Sequence, residues 1–218
     1  MNFLNSIVLA FTAASGGVTE DTQTWRFKAM LGDREIGEHH FRVGARDGAV
    51  HVLSEADFAV RILMFKAFGY EHTSAERYEN GCLTDLSAQT QTGGKRYQVS
   101  AKAQDGVLNV QGSETDKTLA GCVSTFAYWN PAQLLSQTRL LNPQTGTLVE
   151  VDIAPASSSE SAGDVFEISG EGLNIRVFYA AEDGEWVGLE SLMDDGKVLR
   201  YVPVETAVGP LQGEGVGE

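Results

Sequence analysis

The chain has 218 residues, 16 of them Lys or Arg and 30 Asp or Glu, for a formal net charge of −14. That balance opposes binding to nucleic acid, where Lys and Arg must replace phosphate counterions, and docking on anionic lipid headgroups. With 42% apolar and 21% charged residues it is not a disordered acidic chain, and its length suits one all-β domain with a sizeable core.

Residues 1–17, MNFLNSIVLAFTAASGG, read as a signal peptide: an apolar run over 7–14 ends in small residues suited to cleavage. No Lys or Arg precedes the run, so a first buried strand is the competing reading. The run is too short to span a bilayer, and no other stretch approaches that length. The two cysteines, Cys82 and Cys122, fit an exported protein if paired. Their bridge would close a loop of about 41 residues and stabilise the fold by about 4 kcal/mol. Their spacing matches no zinc or CxxC redox pattern, and no metal or cofactor is implied.

From residue 18 to 207 the chain reads as a single β-rich domain. Runs of alternating apolar and polar residues are separated by glycine turns such as Gly32-Asp33, Asp47-Gly48, Gly93-Gly94, Asp105-Gly106 and Asp195-Gly196. Val50, Val52, Ala56, Phe58, Val60 and Ile62 share one face, interrupted only by Ser54. Tyr97, Val99, Ala101 and Ala103 repeat the pattern, as do Leu173, Ile175, Val177 and Tyr179. The expected fold class is therefore all-β and mainly antiparallel: a curled meander or half-barrel of about ten to twelve strands. The glycine-rich residues 208–218 read as a disordered tail, and SSSESAG before it as a polar loop.

The tract GCVSTFAYWNPAQLLSQTRLLNPQTG, residues 121–146, breaks the alternation. Asn130 suits a helix N-cap and Pro131 the first helical position, and Leu134 with Leu135 offers an apolar face over about two turns. This short helix is the expected cover for the apolar face of the sheet, with Phe126, Tyr128, Trp129 and Leu134 against it.

Three constellations could carry chemistry. On the fourth strand, Phe68, Tyr70, His72, Ser74, Glu76 and Tyr78 share a face by parity. They form either a ligand-binding or proton-transfer cluster or a satisfied polar patch on the wet face. Tyr128 and Trp129 are either an aromatic lid over a pocket or core packing. His39 and His40 point to opposite faces and read as exposed strand histidines rather than metal ligands. No GxSxG, HExxH or phosphate-loop spacing is present, so no catalytic residue is assigned.

Trp25-Arg-Phe27, Ile36-Gly37-Glu-His39-His40-Phe41, Tyr70-Glu-His72 with Glu76, Gly81-Cys82-Leu83, and Cys122-Val-Ser124-Thr-Phe126-Ala-Tyr128-Trp129-Asn130-Pro131 resemble an uncharacterised family of exported bacterial β-rich proteins. The resemblance implies a periplasmic or secreted location and no particular activity. In layout alone the chain is similar to periplasmic lipoprotein carriers, in which a curled sheet wraps helices and holds acyl chains.

The expected function is thus an exported binding protein for an apolar or lipid-like ligand. The candidate site comprises Tyr70, His72, Glu76, Tyr78, Phe126, Tyr128, Trp129 and Leu134. Two alternatives stand beside it. One is a small-ligand enzyme using His72 as acid/base, Glu76 as orienter and Tyr70 or Tyr78 as donor. The other is an envelope scaffold or assembly protein that pairs through a sheet edge.

Overall fold

Residues 22–62, 65–113, 116–157, 163–193 and 195–208 are described by the structure, a computed structural model. Residues 1–17, read above as a signal peptide, residues 158–162 of the expected polar loop and residues 209–218 of the expected tail lie outside them. Alternation and glycine turns give fourteen antiparallel strands. The first eight are β1 (Thr22–Leu31), β2 (Arg34–Arg46), β3 (Ala49–Ile62), β4 (Phe65–Glu79), β5 (Cys82–Thr92), β6 (Lys95–Gln104), β7 (Val107–Gly112) and β8 (Asp116–Ala120). After a helical crossing come β9 (Arg139–Leu141), β10 (Leu148–Pro155), β11 (Asp164–Gly170), β12 (Leu173–Tyr179), β13 (Trp186–Leu192) and β14 (Val198–Val208). At Asp47-Gly48 and Asn80-Gly81 both central residues have positive φ, 53° and 75° in one and 51° and 78° in the other. That geometry matches the right-handed twist of the flanking strands, and Asp or Asn followed by Gly tolerates it best.

The sheet order is β8-β7-β6-β5-β4-β3-β2-β1-β14-β13-β12-β11-β10-β9. It consists of two meanders, β1 to β8 and β9 to β14, fused where the first strand pairs with the last. Thr24 opposite Ala207 and Leu31 opposite Leu199 set that register. The count exceeds the expected ten to twelve because β8 and β9, of five and three residues, are too short to show periodicity. They are also the two free edges. The chain between them must cross from one end of the sheet to the other, and it does so through the concave face.

That crossing segment contains α1 (Pro131–Leu134), a single turn rather than the expected two. Asn130 caps it, its side chain accepting from the Gln133 amide at 3.2 Å, and Pro131 takes the first position. Beyond Leu135 the chain turns away, since Ser136 and Gln137 return hydrogen bonds to Gln133 instead of extending the helix. Leu134 is buried at 1% exposure. Among the described residues no helix is long and apolar enough to cross a membrane.

Inward-facing residues of both meanders meet around this segment. Trp25, Phe27 and Phe41 of the first pack with Ile168, Val177 and Trp186 of the second and with Leu134 and Leu140 of the crossing. At the other end Tyr78, Leu83, Leu86, Val99 and Val110 close over Val123 and Leu141. The Cys82–Cys122 disulfide, with Cα atoms 5.0 Å apart, ties the start of the crossing to β5. The outward faces carry cross-strand ion pairs, Arg26 with Glu38 at 3.0 Å and Arg42 with Glu55 at 2.9 Å. These are solvated and add little stability.

Candidate functional site

The registers explain where the interior is left unfilled. Tyr201, Ala29, Gly37, Phe58 and Tyr70 form one row across five strands; Phe27, His39, Ala56 and His72 form the next. Phe41, Ser54 and Ser74 follow. Ser54 and Ser74 are short where Phe or Leu would fill the space. A cavity of about 350 Å³ opens there, between β2–β4, β12–β14 and the crossing segment. Its wall is mainly apolar, with Phe41, Phe58, Ile175 and Leu189 on the sheet and Phe126, Tyr128 and Trp129 on the cover. Met193, 43% exposed, also lines it, so the cavity reaches solvent on that side.

The polar face of β4 points into this space, not to bulk water. His72, Ser74, Glu76 and Tyr78 are all under 9% exposed. Of the eight candidate residues, Tyr70, His72, Glu76, Phe126, Tyr128 and Trp129 lie on the cavity wall. Tyr78 and Leu134 stand behind it, in the packed core. His39 departs from the expectation of an exposed histidine: it faces inward and only His40 faces out. Parity in β2 decides this, because His39 lies two residues from the buried Phe41, and the bulge between Ala29 and Met30 lets Ile36 be buried as well. Its side chain lines the cavity.

Hydrogen bonds tie these groups into three sets. His39 joins Tyr201 Oη through Nδ1 at 2.8 Å and Ser54 Oγ through Nε2 at 2.6 Å. His72 Nδ1 meets Thr90 Oγ1 at 2.9 Å. Glu76 Oε2 accepts from Tyr78 at 2.6 Å and from Thr125 of the crossing at 2.8 Å, while Oε1 accepts from Ser74 at 3.2 Å. Tyr78 Oη and Thr125 Oγ1 are themselves 2.8 Å apart. No hydrogen bond links Glu76 to either histidine, so the carboxylate–imidazole pairing of a general base is not formed.

Every titratable group in this set is pushed toward its uncharged form. Burial lowers His72 from 6.5 to about 4. Burial, then the neighbouring His72 and His40, holds His39 well below the usual imidazole range. Burial raises Glu76 against the opposing pull of its three hydrogen bonds. It raises the Tyr70 phenol as well, and Tyr201 is raised by burial and then by the neighbouring Tyr70 and Tyr128. Desolvation dominates throughout.

A stability prediction follows for His72, which is 4% exposed. Its folded value lies below its unfolded one, so its stabilisation is complete above the unfolded value of 6.5 and lost as pH falls toward about 4. From pH 7 to pH 5 this one group is expected to cost about 2 kcal/mol. Urea denaturation of the protein and of His72→Gln at both pH values checks this. Equal losses in the two would show that His72 is not held neutral.

Fold and site together describe a β-barrel-like protein: one unclosed curled sheet enclosing a lined cavity beneath a crossing segment. Residues 27–204 match the domain of unknown function DUF6134, and the chain belongs to that family. The crystal structure of a β-barrel-like protein of domain of unknown function DUF1849 from Brucella abortus is similar to it with a TM-score of 0.58. That likeness covers 86% of this chain and 98% of that one at 13% identity, and is one of fold. No curated protein matches the chain in sequence.

Ser54, Thr125 and Tyr201 also line the cavity and were not among the candidate residues read from sequence, and His39, considered there, had been placed outside. Ser54 carried a signal, as the one polar interruption of the apolar face of β3. Tyr201 carried none, because its place beside β1 depends on a pairing of the chain's two distant strands.

Proposed function

We propose that this is an exported binding protein, periplasmic or secreted, that holds an apolar or lipid-like ligand between the curled sheet and the crossing segment. The carrying observation is the cavity of about 350 Å³, largely apolar and covered by Phe126, Tyr128 and Trp129. Small-molecule sites are concave, mostly apolar and furnished with a few convergent polar groups, and run from about 300 to 1,000 Å³. The disulfide supports export, since such bonds persist in oxidising compartments. An enzyme built on His72 and Glu76 receives less support, because each bonds to hydroxyls and neither to the other.

The purified protein is expected to bind the uncharged fluorescent probe N-phenyl-1-naphthylamine saturably, one molecule per chain. Ser191→Phe, which places a ring in the cavity from β13, is expected to weaken binding roughly tenfold or more, equivalent to about 1.4 kcal/mol. Fluorescence titration of both proteins measures it. Absent or non-saturable binding would remove the proposal.

A further inference from the structure

The histidines and their hydroxyl partners on the sheet side of the cavity wall can be counted for the hydrogens they have left to give. In the Ser54–His39–Tyr201 set, a neutral imidazole holds one N–H and the two hydroxyls one hydrogen each. The two internal bonds use two of these three. If Nδ1 carries the ring proton, it donates to Tyr201, Ser54 donates to Nε2, and the phenol hydrogen is free. If Nε2 carries it, Ser54 receives that proton, Tyr201 donates to Nδ1, and the serine hydrogen is free. Either tautomer leaves one hydroxyl hydrogen to offer. On the neighbouring strand His72, 4% exposed, spends Nδ1 on Thr90 and leaves Nε2 without a protein partner. The Tyr70 hydroxyl, carried by a ring stacked 5.2 Å from Phe58, likewise takes no hydrogen bond from the protein. These atoms lie on one wall of the cavity.

Among the described residues that line the cavity there is no Lys, Arg or Asp, and the one acid, Glu76, has both oxygens engaged by Tyr78, Thr125 and Ser74. These described side chains therefore offer hydrogen bonds without a balancing cation among them. An anion entering it would lose its hydration and gain no counter-charge, whereas a neutral oxygen loses far less on leaving water. The net charge of −14 further disfavours an anionic guest.

We infer that the cavity takes an electrically neutral molecule with an apolar body and an oxygen-bearing head, such as a long-chain alcohol, ester or ketone, and discriminates against fatty-acid anions. This deepens the binding reading above and rests on it.

Displacement of bound N-phenyl-1-naphthylamine from the full chain at pH 8 separates the two claims. 1-Dodecanol and methyl laurate are expected to displace it at concentrations roughly tenfold or more below those needed for laurate, a difference of about 1.4 kcal/mol. Tyr70→Phe keeps the ring stack and removes one donor that no protein group uses. It is expected to weaken dodecanol and methyl laurate about fivefold more than it weakens the probe. Laurate competing as well as the neutral compounds, or unchanged dodecanol and methyl laurate affinity in Tyr70→Phe, overturns this inference while leaving ligand binding intact. Failure of the probe to bind at all overturns both.

Discussion

Removing the Cys82–Cys122 bridge, as Cys82→Ser with Cys122→Ser, is expected to lower stability by about 4 kcal/mol. The bridge spans 40 positions, and the loop it closes holds β5 to β8 entire. Unfolding an intact chain leaves that loop closed; unfolding the double variant releases it, and most of the cost is this freedom gained by the unfolded state. In the folded state the neighbouring contacts would remain: the Leu83 amide on the Val123 carbonyl at 2.8 Å and the Leu141 amide on the Ser124 carbonyl at 2.9 Å. Thr125 and Gln133 add side-chain bonds on the same segment, at 2.8 Å to Glu76 and to Ser124 respectively. The variant should therefore fold, with the crossing segment still in place but a far smaller margin. Domains of this kind carry about 5–15 kcal/mol in all. Urea denaturation of the double variant and of the oxidised wild type, both under non-reducing conditions, measures the difference. A loss below about 1 kcal/mol would mean that the unfolded chain is already compact around β5 to β8, so that the bridge removes little freedom.

The strands were legible because their alternation and their turns agree. Where Asp-Gly or Asn-Gly falls between alternating runs, the backbone reverses with both central residues at positive φ, as at Asp47-Gly48. The union of β1 with β14 was not legible, since antiparallel pairing between distant strands leaves no local mark. Nor was the inner face of β4. Tyr70, His72, Ser74 and Glu76 point in while Glu71, Thr73 and Ala75 point out, and polarity alone does not rank those two sets. Register decides it, through Ala56 opposite His72 and Ser54 opposite Ser74 on a strand whose apolar side is unambiguous. The same reasoning, applied one strand further, places His39 opposite Ala56 and hence inside. The cover was recognisable as an interruption of the β pattern. Its path, from one free sheet edge to the other, required knowing that β8 and β9 are those edges.

Trp186→Ala is expected to cost about 4 kcal/mol. The indole is 1% exposed and stands where the two meanders and the crossing segment meet. Its ring centroid is 4.5 Å from Phe27 and 4.9 Å from Phe41 of the first meander, and 5.2 Å from Tyr128 of the cover. Its Nε1 donates to the Gly188 carbonyl at 2.8 Å. Truncation to alanine removes contacts from all three parts at once. A sheet fixed by backbone pairing on both sides cannot close around the gap, so the loss includes the void as well as the transfer of the ring. Trp186→Phe keeps a ring at the junction and gives up the Gly188 bond together with part of the volume, for an expected loss of about 1–2 kcal/mol. Urea denaturation of the two variants distinguishes the contributions. A large loss for alanine and a small one for phenylalanine is what a junction held by packing requires, whereas equal losses would assign the role of Trp186 to its single hydrogen bond.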